Sequence, residues 1–123
     1  MSMKFTLLGT GDAAQVPVYG CDCSVCTRAR ASTEFRRLPC SALLEIAGKK
    51  MLIDSGITDL AERFPAGSLS HLLQTHYHAD HVQGLLHLRW GKGDTIPVTG
   101  PQDEHGFADL FKHSGILDFS HTL

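Results

Sequence analysis

Apolar residues recur along this chain at two spacings, one suited to strands and one to helices. "KFTLLG", residues 4–9, predicts a first strand that ends in the glycine-rich turn "GTGDAA". "ALLEIAGKKMLIDSG" predicts two strands, 42–47 and 50–54, joined by a tight turn at Gly48. In "TDLAERF", Leu60 and Phe64 are four apart, and Asp59 with Glu62 resembles a capping box, so a helix is expected. "SHLLQT" and "IPVTG" predict short strands, and "HVQGLLHL" between them a helix weakened by Gly84. A short helix is also expected within "CDCSVCTRARAS", with Ser24 as its N-cap. In "DEHGFADLFKH", the helical spacing of Phe107, Leu110 and Phe111 predicts a core-facing helix. Paired strands followed by alternating strand and helix imply mixed α/β (α+β) layers, with functional residues on loops at strand ends.

Composition adds boundaries. At 123 residues the chain suits one domain or part of one, and 42% hydrophobic with 20% charged residues is an ordinary globular balance. A formal net charge of −2 offers no strong attraction to nucleic acid or anionic membrane. Arg28, Arg30, Arg36 and Arg37 form a basic cluster that reads as a solvated face. No apolar run reaches membrane-spanning length, and the start "MSMKFTLLGTGDAAQ" lacks a signal peptide's apolar segment. The cytoplasm is therefore the expected compartment, and four cysteines there point to thiols or metal ligands rather than disulfides.

The chemistry concentrates in "LLQTHYHADHVQG", residues 72–84, where His76, His78, Asp80 and His81 follow an apolar run. In extended chain His76 and His78 project to one side and form a chelating pair, while Asp80 and His81 follow where the chain turns into a helix. Imidazole and carboxylate together suit zinc, manganese and iron, which acidify bound water. The motif "THYHADH" resembles the signature of the metallo-β-lactamase superfamily. That resemblance implies a four-layer αββα sandwich with a dinuclear site, His76 and His78 on one ion, Asp80 and His81 on the other. It also implies that Asp80 holds the attacking water and accepts its proton, and that Asp54 in "MLIDSG" supports the metal-binding histidines.

"GCDCSVC" sets Cys21, Cys23 and Cys26 at a spacing that three ligands of one zinc would share, leaving a tetrahedral corner for a fourth. A redox pair at Cys23 and Cys26, or inert thiols, are the alternatives. Cys40, after Pro39, reads as a small core residue. The glycines of "GTGDAA" fit either a phosphate-binding loop or an ordinary strand-to-loop turn.

Together, "GTGDAAQVPVYGCDCSVC", "THYHADHVQG", "LRWGKGDTIPVTGP" and "DLFKH" resemble the PhnP-like phosphodiesterases of the bacterial carbon–phosphorus lyase pathway. The resemblance implies one structural Zn²⁺ on Cys21, Cys23 and Cys26 and two divalent catalytic ions, Mn²⁺ or else Zn²⁺. It implies a small phosphorylated sugar as substrate, 5-phosphoribosyl 1,2-cyclic phosphate, opened by metal-bound hydroxide. Residues 1–123 would form the N-terminal half of such a domain, truncated before the remaining metal ligands and the general acid. His87, His105, His113 and His121 match none of those ligands. An apolar sheet face is then expected to be left open, for a second copy of the chain or a separate C-terminal half. Two alternatives stand beside this: an RNA phosphodiesterase resembling the tRNA 3′-processing nucleases, although no RNA-gripping arm is visible, and a zinc-stabilised metal-binding module without turnover.

Overall fold

A computed structural model describes residues 2–103 and 108–122. Six strands form one sheet in chain order: β1 (Met3–Gly9), β2 (Ser41–Ile46), β3 (Lys49–Ser55), β4 (His71–Leu73), β5 (Ile96–Gly100) and β6 (Leu117–Thr122). β1, β2 and β3 pair antiparallel; β3 to β6 run parallel. The helices are α1 (Ser24–Ala31), α2 (Leu60–Arg63), α3 (Ala79–Leu88) and α4 (Ala108–Lys112). The mixed α/β class and the five expected strands are present. β6 was not foreseen: "LDFSHT" offers few apolar positions, and pairing with β5 makes it a strand.

One face of the sheet is covered. Leu43, Leu52, Leu72, Val98 and Leu117 from the strands pack with Leu60, Val82, Leu85 and Leu110 from the helices. Gly84 explains itself here. A Cβ at this position would collide with the Ile57 carbonyl and come within 2.9 Å of the Ser55 carbonyl. The glycine therefore lets α3 lie directly on the end of β3, which outweighs its low helix propensity. The other face is open: Met3, Phe5 and Leu7 alternate along β1 at 65%, 57% and 63% exposure, and Ile46 pairs with Met3 at their edge. An apolar sheet face this exposed requires a partner layer. Among the described residues no helix is long and apolar enough to cross a membrane.

Two local expectations are corrected. Cys23, not Ser24, caps α1, its sulfur accepting the Cys26 N–H at 3.4 Å. Asp59 makes no cap bond to α2 but pairs with Arg63 at 2.9 Å, and α2 spans only four residues. The helix expected over 103–113 is described from Ala108; His105 and Phe107 lie outside the described residues.

The β2–β3 turn places Ala47 and Gly48 at φ +52° and +76°. Both central residues thus sit in the left-handed region, which Asn–Gly suits and alanine does not. Ala47→Asn is expected to stabilise the chain by on the order of 1 kcal/mol in denaturant unfolding, with an unchanged m-value.

Candidate metal centre

The site is organised around Asp54. Between β2 and β3 the register slips: Ser41 pairs with Ser55 but Ala42 pairs with Ile53, so Asp54 is the extra residue of a bulge. Its φ of +55° is a conformation that aspartate tolerates better than most side chains. Its backbone carbonyl accepts the Ser41 hydroxyl at 2.8 Å. Asp54 is only 3% exposed, so its carboxylate must find partners inside the protein.

Those partners come from the end of β4 and the start of α3. Asp54 Oδ1 accepts the Thr75 N–H at 2.8 Å. Oδ2 accepts the Thr75 hydroxyl at 2.7 Å and His81 Nδ1–H at 2.8 Å. Because the single Thr75 hydroxyl proton goes to Asp54, Thr75 Oγ1 accepts His76 Nδ1–H, 2.9 Å away. Asp54 therefore sets the tautomer of His81 directly and of His76 through Thr75, and both rings keep a lone pair on Nε2.

The rings converge. His76 lies 4.6 Å from His78 and 4.1 Å from His81 between ring centroids. Tyr77, between the first two histidines, points the other way into the core against Phe111. This is the alternation expected of extended chain. His78 caps α3 without a side-chain bond and is exposed. Asp80 in the first turn of α3 brings Oδ2 to 3.5 Å from His81 Nε2. A carboxylate oxygen facing an imidazole lone pair is an arrangement of two acceptors, and a divalent cation between them satisfies both. The motif's residues are thus neighbours pair by pair, His76 beside His78 and His81, and Asp80 beside His81, although the four do not converge as one ligand group. As donor types, imidazole and carboxylate fit the metal ions that the motif implied.

Sequence reading missed the scaffold beneath. Gln74 and Ser55 are 2% and 0% exposed; Ser55 Oγ donates to Gln74 Oε1 at 3.0 Å, and Gln74 Nε2 donates to the His81 carbonyl at 2.8 Å. Two polar residues ending apolar strand runs were the available signal. Cys40 is not a core residue as expected: it is half-buried, with Sγ 4.0 Å from Asp54 Oδ2. Burial first, then the negative charges of Asp54 and Asp80, push its thiol above the ordinary value.

Cys21, Cys23 and Cys26 also come together, their sulfurs within 4.8 Å of one another. The Val18 N–H donates to Cys26 Sγ and the Cys26 N–H to Cys23 Sγ, both at 3.4 Å. The Cys26 backbone N–H, then the Cys21 and Cys26 thiols, lower Cys23 to about 7. Cys21 is raised: the Cys23 N–H lowers it, but hydrogen bonding to the Cys23 and Cys26 thiols and desolvation outweigh that effect. Three sulfurs on one loop and helix start, supported by N–H donors, fit a zinc ion short of one ligand. The glycine-rich loop is a turn: Gly11 N–H goes to the Leu38 carbonyl, and Asp12 takes the N–H groups of Ala14 and Gln15. Arg28, Arg30, Arg36 and Arg37 are exposed as expected, each bonded or stacked locally.

Comparison with known proteins agrees with this geometry. Residues 37–114 match a family model described as the metallo-beta-lactamase superfamily. An octanoyltransferase of Porphyromonas gingivalis is 39% identical over 89 residues, covering 71% of this chain and 18% of that protein. A ribonuclease Z of Haloferax volcanii is 31% identical over 123 residues, covering 94% of this chain and 33% of its own length. A crystal structure described as a new diphosphatase from the PhnP family superposes with a TM-score of 0.79 at 28% identity, over 99% of this chain and 51% of that one. The chain thus spans a fifth to a third of these two curated relatives and about half of that structure.

Two outcomes are expected. Asp54→Asn, which replaces an acceptor by an amide facing His81, lowers Mn²⁺ or Co²⁺ affinity about 10–100-fold by calorimetry. In metal-stripped protein near pH 7, iodoacetamide labels Cys23 before Cys21, because Cys23 is lowered to about 7 while Cys21 is raised. Raising the pH above the ordinary thiol range narrows that difference, as mass spectrometry of time points will show.

Proposed function

We propose that this chain, which belongs to the metallo-β-lactamase superfamily, supplies the histidine-motif half of a metal-dependent hydrolase acting on a small phosphodiester. The observation that carries the reading is the buried Asp54, which leaves Nε2 free on both His76 and His81, the latter beside Asp80. His76 and His78 would hold one divalent ion, Asp80 and His81 a second, and Cys21, Cys23 and Cys26 a structural zinc. Divalent ions at such a centre acidify water and offset charge on a phosphoryl group. The chain's own residues do the positioning. Asp54 and Thr75 fix the ring orientations, and Asp80 accepts the proton of the attacking water at Oδ1, the oxygen that does not face His81 Nε2.

The substrate class follows from similarity to the PhnP-family diphosphatase and from the resemblance of the cysteine cluster to PhnP-like phosphodiesterases. We place a cyclic phosphodiester of a phosphorylated ribose first, with Mn²⁺ as the working ion. Because the chain spans about half of that structure, the remaining ligands and the acid for the leaving oxygen belong to a second half, which also covers the open sheet face. A ribonuclease Z-like activity is the second reading, favoured by similarity to the Haloferax volcanii enzyme.

The test assays the protein carrying both halves, with Mn²⁺, against a ribose cyclic phosphodiester, a diphosphate ester and a precursor tRNA. Turnover is expected on the cyclic diester. His78→Ala should reduce it by more than the about 10–100-fold of an outer hydrogen-bond change, with unaltered circular dichroism. Preference for precursor tRNA would replace the first reading by the second, and full turnover in His78→Ala would remove the assignment of the motif.

A further inference from the structure

The sulfur of Cys40 enters the metal centre from below. Cys40 Sγ, a carboxylate oxygen of Asp54 and a ring nitrogen of His81 lie within 4.8 Å of one another. Two donors point at one oxygen there: the Cys40 thiol and His81 Nδ1–H both address Asp54 Oδ2, at 4.0 and 2.8 Å. We propose that Cys40, Asp54 and His81 form a separate, inhibitory site for a thiophilic divalent cation such as Zn²⁺ or Cd²⁺, and that filling it withdraws His81 from the hydrolytic centre. The inhibition rests on His81 being a ligand of that centre, as proposed above.

Charge and ligand type both favour such an ion. A thiolate, a carboxylate and a neutral imidazole together carry −2, which one divalent cation neutralises in a place where a net charge is costly. A site of sulfur, nitrogen and one oxygen selects zinc or cadmium over manganese or magnesium. Binding displaces the Cys40 thiol proton to solvent. Asp54 Oδ1 keeps the Thr75 N–H, so the loop leading into the histidine motif stays attached.

The exclusion follows from the ring itself. Neutral imidazole has one proton and one lone pair. With the proton on Nδ1 facing Asp54, Nε2 is free beside Asp80, 3.5 Å away. A cation on Nδ1 sends the proton to Nε2, which then donates to Asp80 and ligates nothing. His81 therefore serves one site or the other, and excess zinc switches the centre off at a position that the hydrolytic ions do not use.

The experiment titrates Cd²⁺ into the protein carrying both halves, with its three-cysteine cluster preloaded with zinc and Mn²⁺ bound, comparing wild type with Cys40→Ser and Cys40→Ala. Both variants are small, near-isosteric changes whose fold is checked by circular dichroism. Wild type is expected to take up a further equivalent of Cd²⁺ with a thiolate-to-cadmium absorption band missing from both variants. It should also release Mn²⁺, seen by electron paramagnetic resonance, at about tenfold or more lower Cd²⁺ than they do. Equal uptake and equal absorption in all three proteins would overturn the site; equal Mn²⁺ release would overturn the inhibition. If wild type and His78→Ala bind Mn²⁺ equally, the hydrolytic reading fails instead, and the cadmium difference still decides whether the Cys40 site exists.

Discussion

A buried carboxylate is the constraint on which this structure turns. Asp54 sits at 3% exposure, where an unpaired charge is costly, and its two oxygens accept donors from Thr75, His81 and the Cys40 thiol. Those bonds join the end of β3 to the end of β4 and to the first turn of α3. Remove the carboxylate and three segments lose their common anchor. Keep it, and the neighbouring histidines have no choice of tautomer. Stability and chemistry thus draw on the same few hydrogen bonds.

The packing around that anchor serves the same end. Gly84 lets α3 approach the β3 terminus, and Gln74 ties the His81 carbonyl to Ser55. Each is a close or fully satisfied contact, and such contacts hold side chains in one arrangement rather than several. The first turn of α3 is therefore placed from below, by the covered side of the sheet. The ligand atoms meanwhile face outward from its end. Cys40 is the one member of this cluster whose place the hydrolytic arrangement does not require, which is why its sulfur stands out.

The opposite side of the sheet tells a different story. Met3, Phe5, Leu7 and Ile46 form an apolar surface that no layer of the described residues covers. In the proposed reading a second half would cover this surface and add ligands to the histidine motif and the three-sulfur cluster. The chain spans about half of the PhnP-family structure.

Much of this was legible in the residues themselves. The strand and helix periods placed β1 to β5, because side-chain alternation is a local property of the backbone. The His-x-His-x-Asp-His spacing announced a run of neighbouring imidazole and carboxylate side chains, since neighbours in sequence at a strand end stay neighbours in space. The Cys21, Cys23 and Cys26 cluster was visible for the same reason. What only the tertiary structure decided involves residues far apart in sequence. β6 became a strand through its pairing with β5, and Gly84 became an asset through what lies 27 and 29 residues before it, the Ile57 and Ser55 carbonyls. Cys40 moved from the core to the metal centre because a bulge in β3 turned Asp54 towards it. Hydrogen-bond partners and tautomers depend on distances that no local pattern encodes, so the tautomers of His76 and His81 emerged only once three separate segments had folded onto one carboxylate.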